Sequence, residues 1–383
     1  MKRIVIFSLG YYPLLVGGAE VAIKEITDRI SPEDIQFTMI TAKRRKEHSR
    51  FERIGNIDIY RVGLGFEFFD KFIWMPLFGC LKATLLHRKN KFDGVWAMMA
   101  NQSGVSASLF KLWNKVLLVT TLQEGDEEEH LKRYVLGNDF LYKIFIRPWH
   151  IMPIRLADRV TAISNYLVER AKDSGAKGEV KLIPNGVDLE KFSKEFSEDM
   201  LKMGREKAGF SNDDILIFTS SRLVKKNGVA DLISSLEFLP DSFKLLVAGD
   251  GEDREKLEKM IEKKRLTERA VILGFIEPDY MPYYLKMSDI FCRPSLSEGM
   301  GNSFIEAMAS GVPVVATSVG GIKDFLVDGE TGFVVLPENP KSIASGIERA
   351  YKNRDKVIKK AKEKAREYDW SDIAEDMKKV FEK

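Results

Sequence analysis

Two carboxylates, Glu298 and Glu306, bracket the glycine-bearing run Gly299-Met300-Gly301-Asn302-Ser303-Phe304-Ile305, soon after the strand-like segment Ile290 to Arg293. A glycine-rich turn from a strand into a helix presents backbone N–H groups with the helix dipole behind them, which favours an anion such as phosphate. Gly301 would let the ligand approach the backbone, with Asn302 and Ser303 beside it. A purely structural account also exists, because Ser303 and Glu306 have the spacing of a capping box that ties off the helix start. That account leaves Glu298 unexplained, since a loop carboxylate at the carboxyl edge of a sheet lies where open α/β folds bind ligands.

A second cluster, Ser220-Ser221-Arg222-Leu223-Val224-Lys225-Lys226-Asn227-Gly228, follows another apolar strand. The fork of Arg222 can grip phosphate oxygens, and Lys226 or Lys225 can add a point charge. Together they could neutralise a departing diphosphate without a metal. A solvated basic loop is the plainer alternative. Near the chain start, Gly17-Gly18 opens a helix after Tyr11-Tyr12-Pro13 and could bring backbone close to a phosphate or an acceptor. Gly249-Asp250-Gly251 lacks the third glycine of a dinucleotide fingerprint and reads as a tight turn. The histidines His48, His87, His130 and His150 have no metal-ligand spacing, so no zinc is expected. The acidic run Glu124-Gly125-Asp126-Glu127-Glu128-Glu129 could bind a divalent cation or a sugar hydroxyl but reads better as a solvated loop, and Asp250 with Glu252 is a weak acidic pair with some capacity for Mg²⁺.

These groups need a scaffold. Apolar runs at Ile4–Phe7, Gln36–Thr41, Gly94–Met98 and Val116–Thr120 alternate with helix-length segments, and the alternation restarts at Ile215–Ser220, Lys244–Ala248, Val271–Leu273, Ile290–Arg293 and Val312–Ala316. Strand and helix in alternation give parallel sheets. Two doubly wound units are therefore expected in 383 residues, a length that suits two domains. Pro184 and Asn185-Gly186, the latter tolerant of positive φ, mark the junction as a turn, and Trp370 would anchor the last helix. An apolar fraction of 44% supports a core in each half, and Cys80 and Cys292 read as core side chains rather than a disulfide or metal pair.

Lys and Arg number 60 against 57 Asp and Glu, so no global field favours nucleic acid. Met1 runs straight into a strand, without room for a signal peptide, and the longest uncharged apolar stretch, Phe72 to Leu81, is too short to span a bilayer. A cytoplasmic protein is expected. Two stretches, Phe66 to Lys91 and Phe140 to Arg155, are both aromatic and basic. The second carries Tyr142, Lys143, Phe145, Arg147, Trp149 and Arg155. Their composition suits peripheral contact with an anionic membrane surface; ordinary helices with snorkelling cations are the alternative.

Taken together, the chain resembles the family 4 glycosyltransferases. Glu298 and Glu306 match that family's E-x7-E motif, followed by Ala307-Met308-Ala309-Ser310-Gly311-Val312-Pro313-Val314-Val315-Ala316 and Gly320-Gly321-Ile322. Ile183-Pro184-Asn185-Gly186-Val187-Asp188, Ser221-Arg222-Leu223-Val224, Gly249-Asp250-Gly251 and Asp328-Gly329-Glu330-Thr331-Gly332-Phe333 are similar in the same order. The resemblance implies the GT-B fold, two Rossmann-like domains facing a deep cleft. Residues 1–187 would bind the acceptor, 188–366 the nucleotide-sugar donor, and 367–383 would form a helix packing back on the first domain. It implies a retaining transfer of a hexose-type sugar from a UDP-, GDP- or ADP-sugar to a hydroxyl of a lipid-linked or saccharide acceptor, with no cofactor and no metal. By the same resemblance Glu298 contacts the transferred sugar, Glu306 holds the ribose hydroxyls, Arg222 with Lys226 or Lys225 binds the diphosphate, and Gly17 and Gly18 face the reaction centre. Gln123 occupies the position of a family histidine, and Asn227 that of the usual lysine. A nucleotide-sugar epimerase and a non-catalytic nucleotide-sugar binding protein are the competing classes.

Overall fold

The computed structural model describes residues 1–12, 17–66, 74–124, 132, 135 and 137–382. The chain forms two compact units, residues 1–185 with 370–383, and residues 186–369. From sequence the boundaries are expected at 187/188 and 366/367; the compact units divide at 185/186 and 369/370.

The first unit holds eight strands: Lys2–Phe7 (β1), Ile35–Ala42 (β2), Phe51–Ile54 (β3), Ile57–Val62 (β4), Gly94–Met98 (β5), Leu117–Leu122 (β6), Arg159–Ala162 (β7) and Glu179–Leu182 (β8). Their order is β3-β4-β2-β1-β5-β6-β7-β8. All neighbours pair in parallel except the β3–β4 hairpin, which adds an antiparallel edge. The order reverses between β1 and β5, so the loop after β1 that leads to Gly17 and Gly18 leaves the sheet at a topological switch point.

Alternation along the strands gives the sheet two apolar faces. Ile4, Ile6, Phe37, Met39 and Trp96 share a core with Ala22, Ile23 and Ile26 of helix Gly18–Arg29 (α1). The chain-end helix Trp370–Glu382 joins that core through Trp370, Met377 and Phe381, and the Phe381 ring meets Trp96 at 5.5 Å between centroids. Lys2 Nζ donates to the carbonyls of Phe381 and Glu382, a cation at the negative end of the helix. Phe7 points the other way and packs on Phe110 of helix Gln102–Asn114 (α3), which Asn101 caps by accepting from Ser103 N. On this face helix Met75–Lys89 (α2) packs against α3, and α3 packs against helix Arg147–Arg155 (α4).

The second unit is a parallel six-stranded sheet of Ile215–Ser220 (β9), Phe243–Ala248 (β10), Ala270–Gly274 (β11), Ile290–Arg293 (β12), Val314–Thr317 (β13) and Phe333–Val335 (β14), ordered β11-β10-β9-β12-β13-β14. Here the reversal falls between β9 and β12. A buried apolar core from Leu232, Ile233, Leu245, Val247, Ile343 and Ile347 covers one face. Cys80 and Cys292 are both free and buried, and burial pushes both thiols up.

One expectation about the junction fails. Neither Asn185 nor Gly186 has positive φ. The Asn185 side chain is instead spent in a reciprocal amide pair with Gln123, each Nδ2 or Nε2 donating to the other's carbonyl oxygen at 2.8 Å.

Candidate functional site

The switch point of the second unit gathers the two clusters that the sequence singled out. The loop after β9 carries Arg222, Lys225 and Lys226, and the loop after β12 carries Glu298. The two loops are stitched together: Leu296 N donates to the Lys226 carbonyl at 2.7 Å, and a Cβ on Gly228 would lie 2.0 Å from the Pro294 oxygen. Asn227, where the family usually has lysine, is buried and donates its amide to the Arg222 carbonyl. Arg222 and Lys225 are exposed and Lys226 half-buried. Gly249-Asp250-Gly251, read from sequence as a tight turn, runs as irregular backbone against this loop, with Leu223 N donating to the Asp250 carbonyl.

Arg293, the last residue of β12, organises the other side. It is 7% exposed, and its Nη2 donates to Glu298 Oε2 at 2.7 Å. Its Nη1 donates to Ser303 Oγ at 2.9 Å and to the Ser220 carbonyl at 3.2 Å. The guanidinium carbon stands 4.3 Å from the centroid of the Phe304 ring. One buried cation thus ties Glu298 to both β-strand ends. In the sequence Arg293 is only a strand end, because a single arginine closing an apolar strand carries no signal of its partners.

Helix Asn302–Ser310 (α5) begins after Gly301, whose φ of 91° places it in the left-handed region. This corrects the capping-box alternative. Ser303 lies inside the first turn, no side chain caps the helix start, and the Ser303 hydroxyl accepts from Arg293 instead. The first-turn N–H groups at Asn302 and Ser303 belong to the set that a helix cannot satisfy internally. Backbone contact also fixes Glu298, since Gly321 N donates to its carbonyl at 3.2 Å.

Glu306, one turn into α5, is half-buried. Burial raises its pKa from 4.5 to about 7, although Lys191 and Arg293 pull it down. Its carboxyl group can therefore exchange a proton near neutrality. Four polar atoms along the same sheet edge, Thr219 Oγ1, Ser221 Oγ, Ser295 Oγ and Arg293 Nε, are buried without a hydrogen-bond partner in the protein, which leaves them open to a ligand or water.

In the first unit, Gly17 starts α1, and its N–H is taken by Glu20 Oε2 at 3.0 Å. Gly18 is the first helical residue. Gln123, besides pairing with Asn185, lines an open depression with Tyr142, Arg147, His150 and Arg170. Burial and the nearby Arg170 push the His150 imidazole down to about 4, so it is neutral at physiological pH. Residues 125–131, which hold most of the acidic run and His130, lie outside the described residues, as do Pro13 and residues 67–73. Among the described residues no group of three His, Cys, Asp or Glu could hold a metal ion.

Two Rossmann-like sheets, one in each unit and each reversing its strand order at a switch point, have the architecture of the GT-B class. The sequence pattern of Glycosyltransferase Family 4 matches residues 16–191, and that of Glycosyl transferases group 1 matches residues 203–368. The chain belongs to this family of glycosyltransferases. It is 32% identical to an uncharacterized glycosyltransferase of Methanocaldococcus jannaschii over 53% of each chain. The chain spans about half the length of that relative. It is 26% identical to the alpha-monoglucosyldiacylglycerol synthase of Streptococcus pneumoniae, over 82% of this chain and 70% of that one. The structure of Anabaena HepE in complex with UDP-glucose matches with a TM-score of 0.78 over the whole of both chains at 19% identity, a likeness of fold.

Proposed function

We propose that this protein is a retaining hexosyltransferase, moving a sugar from a UDP-, GDP- or ADP-sugar to a hydroxyl group of a lipid-linked or saccharide acceptor. The observation that carries the reading is the Glu298 carboxylate, fixed by Arg293 and by backbone, between a helix start and a cationic loop. A diphosphate seated on the first-turn amides of α5 would have its negative charge met by Arg222 and Lys226, with Lys225 beside them. That preorganised charge lowers the cost of breaking the glycosidic bond as charge builds on the leaving diphosphate.

Glu298 then faces the sugar, and the ribose hydroxyls donate to Glu306. A carboxylate belongs at the ribose rather than at the diphosphate, which it would repel. The bond to the leaving oxygen breaks with oxocarbenium-like character, and the acceptor hydroxyl attacks from the same face, passing its proton to the departing phosphate oxygen. No enzyme-linked sugar and no metal take part in this scheme. In this scheme Gln123, held by Asn185, and the backbone at Gly17 and Gly18 serve the acceptor.

The likeness to a synthase named for a glycosylated diacylglycerol supports a lipid acceptor, and the UDP-glucose complex of a structural neighbour supports a nucleotide-sugar donor. We place the work at the cytoplasmic surface of a membrane, as a peripheral protein. A thermal-shift series with UDP-, GDP- and ADP-sugars tests the donor: a matching donor at a hundred times its Kd adds about 2.7 kcal/mol to stability. No shift with any of them would remove the reading.

A further inference from the structure

We propose that α2, the end of α3 and the α4 segment form one lipid-docking face, which seats the first unit on an anionic bilayer. The proposal rests on the membrane-surface reading above and gives it a location.

Helix α2 is apolar on both sides. Met75, Gly79, Cys80, Ala83 and His87 are buried against the unit, whereas Leu77, Phe78, Leu81 and Leu85 are exposed and fall on one outward stripe that ends in Arg88 and Lys89. A surface helix ordinarily turns charged residues outward. This one turns leucines outward, and Trp74 packs on Phe78 at 4.4 Å between ring centroids. Helix α3, packed between α2 and α4, is nearly all buried until its last turn, where Leu112 and Trp113 are 52% and 61% exposed and Lys115 follows. Phe140, Leu141, Ile144 and Trp149 add further exposed apolar side chains from the segment leading through α4. So large a share of apolar side chains facing water on neighbouring helices marks an interaction surface.

Charge decides the occupant. The chain has 57 acidic residues among 383, yet residues 75–89, 102–114 and 140–155 contain none. The charged side chains there, Lys82, Arg88, Lys89, Lys111, Lys143, Arg147 and Arg155, are all cationic; Lys111 is paired with Asp158 at 2.6 Å, and Asp139, just before the last stretch, with Lys132 at 2.7 Å. A cation-rich apolar face fits the headgroup boundary of an anionic bilayer, where rings and leucines enter the acyl edge and Lys and Arg meet lipid phosphate. A second copy of this chain would instead set like charges against each other. No helix among the described residues is long and apolar enough to cross a membrane, so the face lies on the bilayer rather than through it.

The test is flotation of the full chain with vesicles of phosphatidylcholine alone and of phosphatidylcholine with phosphatidylglycerol. The wild type is compared with Leu81→Glu/Leu85→Glu and with Trp113→Glu. All three positions are exposed, so the variants keep the fold, as circular dichroism and unchanged turnover of a nucleotide-sugar with a water-soluble acceptor will show. The expected result is flotation with the anionic vesicles, weakening with salt, and a drop in bound fraction of at least about tenfold in the variants. Absence of flotation, or variants that float like the wild type, overturns the docking face. A concentration-dependent dimer that the substitutions abolish, without vesicle binding, overturns it in favour of self-association. These outcomes concern the surface alone: a wild type that floats but turns over no nucleotide-sugar overturns the transferase reading and leaves the face standing.

Discussion

Arg293 Nη2 and Glu298 Oε2 meet at 2.7 Å, and the cation is the more deeply buried partner, 8% exposed in its side chain against 20% for the carboxylate. The residue that the E-x7-E motif does not contain therefore holds the residue that opens it. Removing one partner of a buried pair leaves the other charge uncompensated, at about 3–5 kcal/mol when burial is complete. Arg293→Met is expected to destabilise the second unit by somewhat less than that and to lower kcat about a hundredfold, with the donor KM changed little. Combined with Glu298→Gln it should add almost nothing further, because the two act as one unit. Stopped assays on the four proteins of that cycle check this, with Arg293→Lys expected to recover part of kcat. Additive losses would show that Arg293 supports only the fold.

Glu306 gives a pH signature. Its folded pKa is raised to about 7 from 4.5 by burial, so the protonated form is favoured in the folded state. The stability it confers is full below about pH 4.5 and is lost as pH rises through 7, by up to roughly 3 kcal/mol. Denaturant melts of wild type and Glu306→Gln across pH 4.5 to 8 should converge at low pH and diverge at high pH, with the variant the more stable there. Nucleotide binding should run the opposite way: ribose hydroxyls donate to the carboxylate, so affinity rises through pH 7 in the wild type and stays flat in the variant. Calorimetry in buffers of different ionisation enthalpy reads the proton released.

The lysine that assists Arg222 is tested by comparison. Lys226 is half-buried and its carbonyl accepts from Leu296 in the Glu298 loop, whereas Lys225 is exposed. Lys226→Ala is expected to lower kcat/KM about tenfold more than Lys225→Ala, with Arg222→Ala the most damaging of the three. Equal effects would make the two lysines interchangeable.

Gly320 has a φ of 50° and would, with a Cβ, press 1.9 Å from the Glu298 carbonyl oxygen. Gly320→Ala combines backbone strain with that collision. A stability loss of about 2 kcal/mol or more follows, together with a fall in kcat from the displaced Glu298. Thermal melts and turnover of the purified variant read both.

Much of the scaffold was legible because its central strands are buried on both faces. Gly94–Met98, Ile215–Ser220 and Ile290–Arg293 read as uninterrupted apolar runs, and their bounds match the structure residue for residue. The strands that escaped notice are short or lie toward the sheet edges, where water wets one side. Phe51–Ile54 and Glu179–Leu182 mix charged with apolar residues and look like loop. Glu298 stood out through chemistry that no structural role explained. Arg293 did not, because its importance lies in partners on three different segments, and spacing along the chain cannot reveal them. The Ser303–Glu306 spacing misled for a related reason: Gly301 ends the turn one residue before the helix, and Arg293 takes the hydroxyl a cap would need.

The central claim is transfer of a sugar from a nucleotide to a hydroxyl, with Glu298 at the reacting centre. The most direct measurement incubates wild type and Glu298→Gln with the donor chosen by thermal shift and a lipid or saccharide acceptor, and reads the anomeric configuration of the product by NMR. The account predicts a glycosylated acceptor with the donor's anomeric configuration retained and a loss of at least about a hundredfold in the variant. An epimerised nucleotide-sugar without transfer, an inverted product, or a variant as fast as the wild type would contradict it.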